Sequence, residues 1–338
     1  MTIFVSARRA LLKGLLGALA ATASLHAFAQ ATKYPQRPVT VVVPFAAGGS
    51  LDVTARILAD KLKDILGQPV IISNRPGAGS AVGARVVASA PADGYTLFFT
   101  SGSAYGYMHL LVPNFELKIA DFEPVAVVAS NPSVIAVSTQ LPVKSLTELV
   151  AYANANPGGI AFCSTGANGL NHLQLEMFKR EVKARFGHDF TVTHVPYNGL
   201  APALVALKAH DVQACTLPYT ALVKQLEGKD LRVLAAQSKA RLPFLPNVPT
   251  TGEQGFPELD TNDAFVNIAA PKGTPPAVVS KLEAALREVL KDAAVRKKLE
   301  ELEVQVIFMG SRDTRKWLEE DVRKFSGVIR GAGLDVSK

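Results

Sequence analysis

The amino-acid sequence predicts an α/β protein of two lobes, each a mainly parallel sheet flanked by helices, with a ligand cleft between the lobes. Two observations lead to this fold class. Short apolar runs of strand character alternate with longer segments of helical spacing, which is the pattern of βα units. The alternation occurs in two successive sets, so we expect two sheets.

The first set begins with an unbroken β-branched run at Val39–Val43. Residues 51–66 follow with leucine and alanine at the spacing of one helix face. Further buried strands are predicted at 70–72, 95–99 and 124–128.

The second set repeats the pattern after a helix at 145–156. Its predicted strands are 160–163, 191–195, 212–216 and 231–235, and its helices are 171–184 and 201–209. The tail contributes helices at 276–291 and 314–329 and a strand at 304–308, and we expect it to return to the first lobe. Lobe 1 is then 31–133 plus 258–338 and lobe 2 is 134–257, with the chain crossing near 130–137 and 257–266.

The first thirty residues have the form of an export signal. Arg8, Arg9 and Lys13 precede a short apolar run, and Ala27, Phe28 and Ala29 give the small-x-small cleavage pattern, so cleavage is expected near Ala29/Gln30. The arginine pair also approaches a twin-arginine motif, which leaves the general secretory and twin-arginine routes both open. The predicted location is the periplasm.

The composition is typical of an ordinary soluble protein of about two domains. About 308 residues follow the signal, and 48% of the whole chain is hydrophobic. Three of the 36 basic residues and none of the 29 acidic ones lie in the signal, so the formal charge of +7 falls to +4 without it. The charges are interspersed and form no basic stripe, so we expect no nucleic-acid partner. The expected state is a monomer.

The cysteines and histidines predict neither a metal site nor a cofactor. Cys163 and Cys215 both lie at the ends of predicted strands, and we favour two small buried residues, although neighbouring strands would allow a disulfide. The six histidines form no HxxxH or HExxH pattern.

Four turns between strands and helices are rich in glycine and hydroxyl groups and contain no lysine or arginine. At least three should open a helix, where unpaired N–H groups and the positive end of the dipole bind a small anion. The sequence therefore predicts a carboxylate held by the backbone. The candidate residues are Phe45, Ala46, Gly48, Gly49, Ser50 and Asp52; Ser101, Gly102, Ser103 and Tyr105; Ser164, Thr165, Gly166, Asn168, Asn171 and His172; and Tyr197, Asn198 and Gly199.

Each candidate also has a purely structural interpretation. Gly48 and Gly49 suit a tight turn, Ser50 suits a helix cap, and Asp52 suits the first turn of a helix. His172 is expected to order its loop more than to contact a ligand. The glycines at 77–83 have GxGxxxG spacing, which is a weak match to a dinucleotide fingerprint.

Seven motifs occur in an order that resembles one known family. They are YPxxP at 34–38, VVVPFxxGGxxD at 41–52, NRPGAG at 74–79, DGYTL at 93–97, HVPYxG at 194–199, PTxxExG at 249–255 and APxGTP at 270–275. The chain resembles the Bug family of periplasmic solute receptors, also called the TctC or tripartite tricarboxylate transporter substrate-binding family.

The resemblance implies a type II periplasmic binding protein that closes on a small organic carboxylate and delivers it to a membrane transporter. It places the carboxylate grip at 45–52 and 101–105 and the second lobe's contacts at 164–172 and 197–199. Phe265 stands where many relatives carry tryptophan, so either an aromatic wall of the cleft or a core residue is expected there. Residues 212–218 lack an acid that relatives often carry, which argues against a ligand with an ammonium group.

Two other functional classes compete with uptake. A receptor that presents its ligand to a membrane sensor kinase needs the same cleft and differs only in its partner. A hydrolase on an α/β scaffold needs a nucleophile elbow, and the chain contains no GxSxG motif. We therefore expect no enzyme.

Overall fold

The computed structural model describes residues 34–222, 230–260 and 265–337. The predicted export signal lies outside these residues. Within them, no helix has the length and apolar character that a membrane span needs.

Eleven strands and nine α-helices are formed by the described residues. The strands are β1 Val39–Val43, β2 Val70–Asn74, β3 Thr96–Ser101, β4 Phe122–Ser130, β5 Ser133–Ser138, β6 Ala161–Ser164, β7 Thr193–Pro196, β8 Ala214–Pro218, β9 Leu231–Ala236, β10 Phe265–Pro271 and β11 Gln305–Gly310. The helices are α1 Ser50–Leu66, α2 Ala81–Ala88, α3 Ser103–Gly106, α4 Leu146–Ala155, α5 Leu170–Phe186, α6 Leu200–Lys208, α7 Pro276–Val289, α8 Ala293–Glu301 and α9 Ser311–Gly331.

The strands build two sheets, as the sequence predicts. The first has the order β11-β4-β10-β3-β1-β2 and the second the order β7-β6-β8-β5-β9. Both sheets are mixed, which corrects the expectation of mainly parallel sheets. Strands joined through helices pair in parallel, as β1 does with β2 and β3 and β6 with β7 and β8. The strands next to the crossings, β4, β5 and β10, make antiparallel pairs.

β5 and β10 begin where only crossings were expected, near 130–137 and 257–266. β4 and β5 belong to different sheets and are separated by Asn131 and Pro132 alone. β10 lies inside the first sheet between β3 and β4, and all seven of its residues are buried. Each crossing therefore passes directly into a sheet. The exact lobe boundaries remain a prediction.

Apolar side chains cover both faces of both sheets. On the first sheet, α1, α7 and α8 pack on one face, and α2, α3 and the middle of α9 pack on the other. On the second sheet, α4 and α5 cover one face and α6 the other. The end of α9 leaves the first sheet and adds Phe325, Val328 and Ile329 to the α4/α5 core, where the Phe325 ring lies 4.9 Å from that of Tyr107.

Cys163 and Cys215 form a disulfide, so the interpretation that we favoured from the sequence is wrong. β6 and β8 are neighbours, and the two cysteines are direct partners in their parallel register, with Cα atoms 4.4 Å apart. The bond lies in the core under α6, close to Ala203. Strand adjacency, which the sequence could not establish, decides the pairing.

Candidate functional site

A cavity of about 140 Å³ lies between the two sheets, and its wall includes residues from both. The start of α1 and the end of β3 contribute from one side, and the start of α5 and the end of β8 from the other. Its lining residues are Ser50, Leu51, Thr54, Ser101, Asn131, Ser133, Leu170, Asn171, Pro218, Val266 and Val304. No residue of this lining is charged. A larger open groove of about 520 Å³ lies on the outer surface between α1 and α7 and contains none of the predicted turns.

The two long helices that reach the cavity begin without side-chain caps. α1 and α5 are each preceded by a glycine, Gly49 and Gly169, and neither helix has a side-chain hydrogen bond to its first-turn amides. By contrast, Ser145 caps α4 and Asp292 caps α8 through side-chain oxygens. Because a glycine cap leaves the first N–H groups without an internal partner, both helices present donors at the cavity wall. Ser50 is therefore the first helical residue, and it is not the cap that the structural interpretation proposed.

Asp52 fixes the first turn and does not line the cavity. Its carboxylate accepts hydrogen bonds from the Gly48 N–H at 2.8 Å, from Asn74 Nδ2 at 2.9 Å and from Arg56 Nε at 3.0 Å. The hydrogen bond from Arg56 is the largest cause that lowers the Asp52 pKa to about 2, with the Gly48 amide and Asn74 adding to it. Asn74 also donates to the Phe45 carbonyl, so one buried carboxylate organises both ends of the turn.

Of the predicted residues of this turn, only Ser50 lines the cavity. Phe45 is exposed at 37%, and Ala46 is exposed as well. Gly48 adopts a φ of +84°, which favours glycine, and its amide is already bonded to Asp52. Leu51 and Thr54 line the cavity and were not predicted. Thr54 lies four residues after Ser50, on the same face of the predicted helix, and this spacing was the available signal.

Among the predicted residues of the second turn, one lines the cavity and others are packed inside the protein. Ser101 lines the cavity. Gly102 packs so closely on α9 that a Cβ there would lie 2.7 Å from the Trp317 ring. Tyr105 is buried and donates from its hydroxyl to Asn267 Oδ1 at 2.7 Å, and burial raises its pKa. The backbone of Ser103 opens the short helix α3, and its side chain is outside the described part of the structure.

Asn171 organises the third turn and also lines the cavity. Its Oδ1 accepts from Thr165 Oγ1 at 2.7 Å, and its Nδ2 donates to Ser133 Oγ and to Gln174 Oε1, both at 3.0 Å. It thereby ties the turn to β5 at the crossing. Because both polar ends of its side chain are hydrogen-bonded within the protein, we assign Asn171 the role of positioning its neighbours.

Two stacked histidines hold the rest of the third turn. His172 and His194 have ring centroids 4.0 Å apart and planes inclined by 11°. His172 Nδ1 accepts from the N–H of Asn168 at 3.0 Å, and His194 Nε2 lies 2.8 Å from Ser164 Oγ. Burial lowers the pKa of both histidines, that of His194 to about 4. His172 thus orders the loop, as the sequence favoured.

The fourth turn docks on the third. The N–H groups of Tyr197 and Gly199 donate to the carbonyls of Ser164 and Thr165 at 3.0 and 3.1 Å. Neither residue lines the cavity, and nor do Asn198, Gly166 and Asn168. Tyr197 and Gly199 therefore support the third turn through their backbone.

Phe265 lies on the opposite side of its strand from the cavity. Its ring packs against Trp317 with centroids 5.0 Å apart, which is the core position that the sequence left open. The next residue, Val266, lines the cavity because successive strand residues face opposite sides. Asn131, Ser133, Pro218 and Val304 also line it, and they escaped prediction because only the crossing and the returning tail bring them there.

Two α/β units that enclose one small cavity, with a helix N-terminus from each at its wall, define a two-lobed ligand-binding protein. In the parts of the chain that the structure describes, no three histidine, cysteine or acidic side chains come together to hold a metal ion.

The chain belongs to the tripartite tricarboxylate transporter family receptors (TctC), whose family model matches residues 54–334. Among curated relatives, Protein BugT of Bordetella pertussis is 35% identical over 324 residues, covering 95% of this chain and 97% of the relative. This family is one of receptors and not of enzymes.

Solved structures of the same kind share the fold. Rpa4515 of R. palustris with adipate is 32% identical, with a TM-score of 0.75 over 89% of this chain and 98% of that one. MatC of Rhodopseudomonas palustris with bound malate is 29% identical, with a TM-score of 0.72 over 88% of this chain and 100% of that one. The expected two-lobed α/β class is therefore confirmed.

Proposed function

We propose that this chain is an exported receptor that holds one small organic carboxylate in the cavity between its lobes and delivers it to a tripartite tricarboxylate-type membrane transporter. One observation carries the proposal: the uncapped first turns of α1 and α5 reach the same cavity from two lobes. The solved relatives with adipate and malate support a carboxylate.

Backbone donors suffice for such a ligand. A helix N-terminus stabilises a nearby negative charge by about 0.3–1 kcal/mol when exposed and by up to about 2 kcal/mol when partly buried. Two termini together supply up to about 4 kcal/mol, or roughly a thousandfold in affinity. The cavity has the liquid volume of roughly five water molecules, which suits a small acid. Its lining contains no acidic residue to pair with an ammonium group, so amino acids are disfavoured.

Capture proceeds by closure of lobe 1, residues 31–133 plus 258–338, on lobe 2, residues 134–257. Because the ligand contacts both lobes only when they are together, binding shifts the population toward the closed form. The α9 residues Phe325, Val328 and Ile329 pack into the core under the second sheet and act as a fixed pivot on that side. The partner is the membrane subunit pair of the transporter, the location is the periplasm after removal of residues 1–30, and the receptor acts as a monomer without catalysis.

The test is a thermal-shift and calorimetric screen of the mature chain, residues 31–338. Malate, adipate, citrate and benzoate form the carboxylate arm, and glutamate and aspartate form the ammonium-bearing arm. We expect one or more members of the first arm to raise the melting temperature, since a ligand of the native state alone stabilises it. Binding of glutamate or aspartate only, or of no acid in either arm, would contradict the proposal.

A further inference from the structure

We propose that Gln237 recognises a hydroxyl group of the ligand, so that the receptor prefers a hydroxylated carboxylate to the same acid without the hydroxyl. This inference rests on the proposed function, because it concerns the part of the ligand that the helix N-termini do not hold. It assigns a specificity role to a residue outside the four turns.

Gln237 is a fully buried polar residue with an unused side chain. Its exposed fraction is 0%, and within the described structure neither Oε1 nor Nε2 has a hydrogen-bond partner. Only its backbone is engaged, through an N–H that donates to the Ser133 carbonyl at 2.9 Å. Buried side-chain amides are nearly always paired, so both unpaired ends point to a partner that binds from outside the chain.

The strand register places this side chain on the sheet face that borders the cavity. Val134 pairs with Ala236 in the antiparallel β5/β9 ladder, which places Gln237 opposite Ser133. On the other side of β5, Ser133 is the direct partner of Pro218. Residues that are opposite one another across neighbouring strands project from the same face of the sheet. Ser133 and Pro218 line the cavity, and Gln237 continues their row on the same sheet face, beside Ser133 and just behind the lining.

Two polar residues of the lining are already engaged, whereas Asn131 Oδ1 is unpaired. Ser133 Oγ accepts from Asn171 Nδ2 at 3.0 Å, and Asn171 also binds Thr165 and Gln174. Among the described residues, Gln237 is the carboxamide whose two ends are both buried and unpaired.

The chemistry of a carboxamide selects the group that it binds. Nε2 donates and Oε1 accepts, and a carboxylate offers only acceptors, which leaves Oε1 unpaired. A hydroxyl can donate to Oε1 as well as accept from Nε2, so it can pair with the end that a carboxylate leaves unpaired. No residue of the cavity lining is charged, which favours a neutral group at this position over a second carboxylate. The ligand class is therefore a hydroxycarboxylate.

The experiment compares pairs of acids that differ by one hydroxyl: succinate and malate, propionate and lactate, butyrate and 3-hydroxybutyrate, and benzoate and 4-hydroxybenzoate. Calorimetry gives the affinity ratio within each pair for the wild-type chain and for Gln237→Met, which has a similar shape without hydrogen bonds. We expect a preference of about tenfold for the hydroxylated member of the best-binding pair. In Gln237→Met this ratio should fall to about one.

Gln254→Met is the matched control. Gln254 is also a glutamine near β9, but its amide is used, since Nε2 donates to the Leu234 carbonyl and Oε1 accepts from the Leu146 N–H. We expect Gln254→Met to lower the melting temperature with an unchanged affinity ratio. Gln237→Met should melt at or above the wild-type temperature, because it removes no internal bond.

The outcomes separate the two proposals. If an acid binds but the wild-type ratio is near one, or if Gln237→Met keeps the wild-type ratio, the role of Gln237 is overturned and the amide holds ordered water only. If Gln237→Met melts well below the wild type, the side chain has a structural partner and the inference fails as well. If no acid binds to the wild type, the proposed function itself fails.

Discussion

Gly49 and Gly169 hold equivalent positions in the two sheets' leading turns. Each immediately precedes a 17-residue helix, with φ and ψ of −73° and 163° at Gly49 and −79° and 170° at Gly169. Each glycine N–H donates at 3.4 Å to the carbonyl three residues earlier, and each glycine carbonyl accepts the first helical hydrogen bond. The same backbone turn has thus been placed on both sides of one cavity.

Removing the carboxylate of Asp52 should loosen the first of these turns. Asp52→Asn loses the charge-assisted hydrogen bonds that the carboxylate accepts from Gly48 and Arg56. We expect the free energy of unfolding, measured in urea at pH 7, to fall by about 1–3 kcal/mol. Ligand affinity should fall too, because the turn positions Ser50. Asp60→Asn is the control on the same helix, since both partners of its ion pair with Lys63 are exposed and solvent screens the interaction. Equal stability of the two variants would show that Asp52 does not organise the turn.

The stacked histidines predict a loss of stability in acid. Burial is the main cause that lowers the pKa of His194 to about 4 and also lowers the pKa of His172. The positive charge of Lys179 lowers both pKa values further, whereas Glu176 opposes the shift at His172. The folded protein keeps these rings neutral, whereas the unfolded chain takes up protons below about pH 6.5. Their contribution is therefore complete above about pH 6.5 and is lost as the pH falls toward 4.

The measurement is the free energy of unfolding between pH 7 and 4.5. For one histidine the slope is at most about 1.4 kcal/mol per pH unit. His194→Gln keeps a hydrogen-bonding group near Ser164 and should flatten the profile. His172→Gln, which removes the other ring of the stack, should flatten it as well. A wild-type profile that is flat over this range would contradict the prediction.

Loss of the disulfide should cost stability without affecting the ligand. The bond closes a separation of 52 residues, for which chain entropy gives a stabilisation of up to about 4 kcal/mol. It lies under α6, on the opposite face of the second sheet from the cavity-lining Ser133. The double variant Cys163→Ala/Cys215→Ala should therefore unfold at lower urea concentration and bind with an affinity within about twofold of the wild type. A variant as stable as the wild type would indicate that the bond is absent in solution.

The sequence identified the parts of this structure that depend on local spacing. β1, α1, α5 and the turns before the two helices follow from apolar periodicity and glycine placement. The sequence did not identify β10, because nothing local distinguishes a buried strand in the centre of a sheet from a buried crossing. Ser50, Ser101 and Asn171 were predicted to lie in one site, and the structure places all three at the wall of the cavity.

Other site residues depend on contacts between distant segments. Asp52 finds Asn74 at the end of the neighbouring strand, and Tyr105 finds Asn267 162 residues away. Both residues were predicted to contact the ligand, and both instead make hydrogen bonds inside the protein that support the site. The choice between Phe265 and Val266 depends on which face of β10 meets the cavity, and a one-residue difference in register reverses that choice.

If backbone amides hold the carboxylate, deleting single amides at the cavity wall should weaken binding. Ser50 and Leu170 are the first helical residues, where proline is tolerated and removes only the N–H. The extended conformations of Gly49 and Gly169 also suit a residue before proline. Ser50→Ala and Leu170→Ala are the matched controls that change the side chain and keep the amide.

The measurement is the calorimetric affinity of the best-binding acid from the screen for these four variants, with melting temperatures to establish folding. We expect Ser50→Pro and Leu170→Pro each to fold and to bind at least about tenfold more weakly than the corresponding alanine variant, since a hydrogen bond to a charged group is worth about 1.5–3 kcal/mol. Folded proline variants that bind as tightly as their alanine controls would contradict the claim.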